Sequence, residues 1–350
     1  MIMKKHFIGL AAILLVSVAV LSGAIFKDNS FKGTYKKVLL NYINFNSNGV
    51  PISSISDMTF DGKGTVVATD VFISTPDGIG QQDGNEATYS VNPDGSYTFS
   101  FGSGVVGQLY EEAKSYIHVR VNNINSQLIV AGIKTGNSGY TEANFKGTYK
   151  RVGFAFHNGV PVPSLADVTL DGNGNVHIEG INSTPEGIVP INMDGTYIVE
   201  DDGSFTFNFG GSLMGQLHED SKSYIGARVD TNNTQMIVVG VKTGKQDFSN
   251  ASMKGVYKRV LFGFNNAGPW SSIATLTFDG INNVSMEGVK SSPAGANQSI
   301  SQTWEYDVTD DGSFEFIYDG GGKSFGQLHE DKNSFIAVGG SVIIMSKRMD

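Results

Sequence analysis

The chain has 350 residues, a formal net charge of -9 and a sequence pI near 5.2, with 44 glycines and no cysteine. No basic stripe is present, which argues against nucleic acid and anionic membrane surfaces as partners. The lack of cysteine rules out disulfides and thiolate metal sites.

The N-terminus reads as an export signal. Met3-Lys4-Lys5-His6 is a basic start, residues 7–20 form an apolar or small-residue run, and Ser22 and Ala24 are small residues at cleavage positions. Cleavage near Ala24 is expected, making residues 1–24 a signal peptide and the mature protein periplasmic, cell-surface or extracellular. An uncleaved anchor helix is the competing reading, since the run approaches the roughly 20 residues that span a bilayer. Leu21-Ser22-Gly23-Ala24 resembles a bacterial lipoprotein box, but Ala24 stands where the lipidated cysteine would be. That anchor is therefore excluded.

Three copies of one unit follow. Phe31-Lys32-Gly33-Thr34-Tyr35-Lys36 returns as Phe145-Lys146-Gly147-Thr148-Tyr149-Lys150 and, altered, as Met253-Lys254-Gly255-Val256-Tyr257-Lys258. Gly107-Gln108-Leu109 returns as Gly215-Gln216-Leu217 and Gly326-Gln327-Leu328. The period is about 110 residues, the size of a small domain. The spacing predicts units at 31–136, 145–244 and 253–350, each with its own core. The polar joins at 135–144 and 243–252 are expected to let neighbours move unless their surfaces dock.

In the middle copy, strands are predicted at 149–156, 166–170, 176–181, 196–200, 204–209, 214–218, 224–229 and 236–241. Gly, Asn, Asp and Pro clusters separate them, and no 3.6-residue period appears. Asp-Gly hairpin turns recur at Asp94-Gly95, Asp202-Gly203 and Asp311-Gly312. Successive hairpins imply an all-β antiparallel meander that closes as a barrel or splits into a sandwich. Tyr97, Phe99 and Phe101 alternate on one strand face, as do Phe205, Phe207, Phe209 and Phe314, Phe316, Tyr318. Such trios are either packed core or an aromatic wall for a ligand, with core the favoured reading. The third copy is trimmed, with a shorter final hairpin around Gly339-Gly340.

Each copy opens with Gly-x-Tyr, at Gly33/Tyr35, Gly147/Tyr149 and Gly255/Tyr257, and carries Lys134, Lys242 or Lys347 on its last strand. This pattern resembles the lipocalin and calycin barrels, with Tyr replacing Trp and Lys replacing Arg. The resemblance implies eight-stranded up-and-down barrels in which each Lys covers the Tyr ring where first and last strands meet. It also implies small apolar ligands and, more distantly, isomerase-like activity.

Candidate chemistry is sparse. His218-Glu219-Asp220 and His329-Glu330-Asp331 invite acid–base or metal readings, yet the first copy has Tyr110-Glu111-Glu112 there, so a polar turn is expected. Asp171-Gly172-Asn173-Gly174-Asn175 starts like a calcium loop but lacks its later ligands, and reads as a hairpin turn. His157 and His177 have no partner visible in the sequence, and Asn182 and Asn232 open chance sequons. No nucleophile elbow or phosphate loop occurs. The expectation is a non-catalytic protein with no cofactor or metal. It acts as an array of interaction modules or as a binder of small apolar molecules, with a protein or a small ligand as partner. Barrels filled by their own aromatic residues leave little cavity, which favours the array.

Overall fold

A computed structural model describes residues 26–43, 49–82, 84–100, 104–110, 113–231 and 233–349. The expected signal peptide, Phe101, Glu111, Glu112 and Asn232 lie outside them. Barrel 1 comprises β1 (Lys32–Ile43), β2 (Val50–Asp61), β3 (Thr65–Thr75), β4 (Gly78–Gln82), β5 (Glu86–Val91), β6 (Ser96–Phe99), β7 (Val105–Tyr110), β8 (Ser115–Arg120) and β9 (Ser126–Lys134). β4 and β5 both pair with β3 and together fill one strand position. Barrel 2 comprises β10 (Lys146–His157), β11 (Val160–Asp171), β12 (Asn175–Thr184), β13 (Gly187–Val199), β14 (Ser204–Asn208), β15 (Ser212–Leu217), β16 (Ser223–Arg228) and β17 (Thr234–Lys242). Barrel 3 comprises β18 (Gly255–Asn265), β19 (Gly268–Phe278), β20 (Asn283–Ser292), β21 (Gly295–Val308), β22 (Ser313–Ile317), β23 (Lys323–Leu328), β24 (Ser334–Gly339) and β25 (Val342–Arg348).

The chain is all-β, and its three eight-position antiparallel barrels are closed. The first strand of each pairs with both the second and the last, as β10 does with β11 and β17. Closure satisfies both edges at once, which a sandwich does not.

Two strands in barrel 2 start well before the sequence predicts, by about a hairpin arm rather than by one to three residues. β11 begins at Val160 and runs through Pro161 and Pro163. Its pairing with β12 starts only at Ser164, so the proline stretch has a neighbour on one side alone and no ladder donor is lost there. β13 begins at Gly187, where the non-alternating Ile188-Val189-Pro190-Ile191 concealed its start.

Each barrel has an inner core, and a further core lies between the barrels. In β10, Tyr149, Arg151, Gly153 and Ala155 share the inward phase, while Val152, Phe154 and Phe156 point outward and are fully buried. Those outward residues pack with Val38, Leu40 and Ile129 of barrel 1 and Val260, Phe262 and Ile343 of barrel 3. The packing is cyclic. β2 lies on β16, β11 on β24 and β19 on β8, so the second strand of each barrel covers the seventh of the next.

Hydrogen bonds clasp two of the three seams. Between barrels 1 and 2, Ser53 Oγ donates to Arg228 O at 2.6 Å and Gln235 Nε2 to Ser74 Oγ at 3.2 Å. Between barrels 3 and 1, the equivalent residues repeat the pattern: Ser271 Oγ donates to Arg120 O, and Gln127 Nε2 to Ser291 Oγ at 3.3 Å. At the third seam, register places Pro163 at the Ser53 position and Ser341 at the Gln127 position. An ion pair between Lys222 and Glu330, 2.5 Å apart, joins barrels 2 and 3, as Lys114 and Glu219, 2.7 Å apart, join barrels 1 and 2.

The joins are pinned. Gly139 N donates to Asp201 Oδ1 at 3.0 Å, and Phe248 N to Asp310 O at 3.1 Å. Phe145 and Met253, which end the joins, are fully buried in the barrels that follow.

Docking of this kind makes the barrels unfold together. Calorimetry should show one cooperative transition, and Phe154→Ala should destabilise the whole ring by about 3–5 kcal/mol. Three separate transitions, with only one moved by the substitution, would show the shared core to be energetically idle.

Candidate binding site in the second barrel

The repeated motif builds the closed end of each barrel. Tyr149 Oη donates to Ser221 O at 2.5 Å, and Tyr257 Oη to Lys332 O at 2.8 Å, while Tyr35 makes the same bond to Ala113 O. Ala113, Ser221 and Lys332 all have left-handed φ, of 66°, 58° and 62°. The tyrosine thus anchors a strained turn by its carbonyl. Gly147 has φ 108°, and a Cβ there would sit 3.2 Å from Lys242 Cε, so the lysine can cross close to the backbone.

Lys242 Nζ lies 5.7 Å from the Tyr149 ring centroid, and Lys134 Nζ 5.9 Å from that of Tyr35. The third expected pair, Tyr257 with Lys347, is not formed. In the trimmed copy Tyr257 stands opposite Arg348, and Lys347 stands opposite Lys258. One residue of offset puts a strand side chain on the other face. Lys347 therefore points out of barrel 3, with Nζ 5.6 Å from the Tyr110 ring of barrel 1.

The aromatic trio of barrel 2 divides. Phe205 and Phe207 are buried among Phe145, Tyr197 and Tyr224, with ring centroids 4.7 Å apart, and form the floor of the lumen rather than a ligand wall. Phe209 alone reaches a cavity. That cavity, of about 520 Å³, occupies the upper lumen of barrel 2. Its lining includes Arg151 and Ala155 from β10, Val162 and Ser164 from β11, Ile191 and Met193 from β13, Leu213 from β15 and Met236 from β17.

Comparison of register-equivalent positions explains why this lumen is open. Gly153, Val162 and Gly195 of barrel 2 correspond to Leu261, Trp270 and Trp304 of barrel 3. Three large side chains are replaced by three small ones. Phe209 folds over Gly195, where a Cβ would lie 2.4 Å from its ring. Barrel 3 has instead a depression of about 580 Å³ lined mainly by polar residues, Ser301, Gln302, Thr303 and Asp319 beside Trp304 and Tyr318.

Arg151 is the one charged group deep in the lumen of barrel 2, only 6 % exposed. Its Nη2 donates to Ser164 Oγ at 3.4 Å, and its Nε has no acceptor among the described residues. Burial lowers its pKa, yet a guanidinium remains charged at neutral pH. Register equivalents occur in every copy. Arg259 Nη2 reaches Ser272 Oγ at 2.7 Å, and burial pulls its pKa down to about 10; Lys37 is held down to about 8, again by burial. The sequence analysis missed all three, although each lies two residues beyond the repeated Tyr and so shares its inward phase.

The other candidates are structural. His218 and His329 are buried where barrels meet, with Nδ1 2.9 Å and 2.8 Å from Asp220 and Asp331 of their own turns. Asp171 Oδ1 accepts from the backbone N–H of Asn173 at 2.7 Å and Asn175 at 3.0 Å, which closes the hairpin. His157 and His177 do have partners, Thr234 at 2.9 Å and Asp194 at 2.8 Å. Among the described residues no group of three or more His, Asp or Glu gathers to hold a metal, and no helix is long and apolar enough to cross a membrane.

No family model matches this sequence, and no curated protein is similar to it. Among solved structures, the chain is similar to isotype 1 transferrin binding protein B from serogroup B Neisseria meningitidis. The identity is 9%, the TM-score 0.29, and the match covers 91% of this chain and 77% of that one. It is also similar to a protein of unknown function from the DUF3598 family of Nostoc punctiforme PCC 73102, at 10% identity and a TM-score of 0.21, covering 80% of this chain and 98% of that one.

Two substitutions test the energetics of these interiors. Tyr149→Phe should cost about 0.5–1.5 kcal/mol, the net value of one hydrogen bond, in chemical denaturation. A change below that range would show that the anchored turn does not depend on the hydroxyl. Lys37→Met should stabilise the protein at pH 7 by about 1–3 kcal/mol, because a desolvated ammonium is removed. The folded-state pKa of Lys37 lies below its ordinary 10.5, so the unfolded chain holds the proton more tightly. The native penalty is full below about pH 8 and fades as pH rises towards 10.5. The variant's advantage should shrink over that interval, and an advantage constant from pH 7 to 10.5 would refute the desolvation account.

Proposed function

We propose that this is an exported, non-catalytic binding protein in which barrel 2 receives one small ligand with an apolar body. Barrels 1 and 3 serve as its scaffold. The observation that supports this reading is the lumen of about 520 Å³ in barrel 2, within the usual range for ligand pockets. Its walls are largely aliphatic and aromatic, and it exists because Gly153, Val162 and Gly195 replace bulky counterparts. The apolar rim adds support: Ile188 is 65% exposed, and Val189 and Met193 are also exposed beside the mouth.

The interaction-array reading has an observation of its own in that same rim, since exposed Ile181 and Ile188 share the outward face of β12 and β13. The outward faces that would make three independent modules are, however, spent on one another. An array of freely jointed modules is thus less favoured than a rigid ring with one chamber. Export rests on the N-terminal sequence pattern alone, and N-terminal sequencing of the mature protein checks it.

A neutral, environment-sensitive dye titrated into the full chain should occupy a site that Val162→Trp, which copies Trp270 of barrel 3, removes. Native mass spectrometry of freshly purified protein should show a small molecule carried by the wild type and absent from that variant. Dye binding unchanged by Val162→Trp would reject the chamber.

A further inference from the structure

Building on the proposed chamber, we infer that its ligand is an amphiphilic monocarboxylate whose carboxylate is held by Arg151 and Ser164 and whose apolar tail runs up the lumen. The chemistry of the lumen points to an anion. Among the described residues that line it none is acidic, and the charges present are cationic: Arg151 at depth and Arg228 near the mouth. Arg228 is already committed, its Nε 3.0 Å from Asp230 Oδ1. Arg151 has no carboxylate partner among the described residues, and its single hydrogen bond there is the long one to Ser164.

A buried, unpaired guanidinium is costly. Barrel 3 carries the same cation in a filled interior, where Arg259 Nε likewise has no acceptor among the described residues. There Arg259 sits close to its serine at 2.7 Å, and Trp270, Trp304 and Tyr318 occupy the space above. Barrel 2 keeps the cation, loosens its contact to the serine and removes the covering side chains.

The size and geometry of the head group follow. One guanidinium fork with one neighbouring hydroxyl matches a planar, singly charged carboxylate, which it binds through two parallel N–H donors. A dianionic head would carry uncompensated charge into an apolar chamber. Above Arg151 the walls include Ala155, Val162, Ile191, Leu213 and Met236, which suit a hydrocarbon, and His157, Asn182, Thr184, Asn192 and Thr234 also line the cavity.

The test uses dye-loaded full-length protein at neutral pH, with decanoate and decan-1-ol as competitors below their aggregation concentrations. Decanoate should displace the dye at a concentration at least about tenfold lower than decanol. In Arg151→Met, which keeps an apolar stem and removes the buried charge, the dye should still bind and the preference for decanoate should vanish. Equal displacement by the two competitors in the wild type overturns the carboxylate assignment and leaves the chamber standing. A preference that persists in Arg151→Met overturns it as well, since the head group must then lie elsewhere. Dye that does not bind the wild type, or that Val162→Trp fails to exclude, removes the chamber and this inference with it. The wild-type comparison decides the matter even if the variant is poorly folded.

Discussion

Burial of the first strand of each copy on both faces is the constraint on which the rest of the structure depends. An isolated eight-stranded barrel has an interior and a wet exterior, so its strands alternate apolar and polar. β10 does not. Its inward residues fill barrel 2, while Val152, Phe154 and Phe156 on the outward phase are also fully buried. No single barrel can satisfy such a strand. Three copies can, because each covers part of the next and the third returns to the first. The joins then have little freedom to lose, and their bonds to Asp201 and Asp310 belong to the repeat itself, since Phe26 N makes the same bond to Pro93 O in barrel 1.

The ring is not symmetric, and its departures are local. Seams 1–2 and 3–1 carry the same serine and glutamine clasp, while Pro163 and Ser341 delete both halves of it at seam 2–3. The trimmed hairpin of barrel 3 accounts for one half, since it removes the end of the strand that would bear the glutamine. Pro163 accounts for the other. It sits in the stretch of β11 that lacks a β12 neighbour, the part of the sheet where a missing N–H costs nothing. The same stretch forms part of the chamber mouth through Val162, so the weakest-clasped seam and the open lumen share one segment of chain.

Much of this was legible in the residues. Repeated motifs, Asp-Gly turns and short alternating runs led to three eight-stranded units, and the Gly-x-Tyr opening led to closure between first and last strands. The docking was written there too, but in a form that short-strand reasoning overlooks: Val152-Gly153-Phe154-Ala155-Phe156 shows no alternation, which is the mark of a strand covered on both sides. The Lys347 pairing failed because a lysine was matched by residue type, while strand phase, which decides the face, selects Arg348. The chamber was hidden for a different reason. A cavity is made by what is missing, and Gly153 and Gly195 look like ordinary strand glycines until Leu261 and Trp304 are set against them in register.

The three inward cations show how one position can be resolved in three ways. Lysine at 37 has a route that arginine lacks, since burial brings its pKa to about 8 and it can shed its proton at modest alkalinity. Arg259 cannot, but its Nη2 is close to Ser272 in a barrel filled by aromatic side chains, although its Nε has no acceptor among the described residues. Arg151 has neither escape. It retains its charge, its serine is at the limit of hydrogen-bonding distance, and the volume above it is empty of side chains. On the proposed reading, Arg151 is satisfied by a ligand that brings negative charge to this depth and apolar surface to the walls. The loss of bulk at three wall positions opens the space, and on the proposed reading the retained cation selects the head group that enters it.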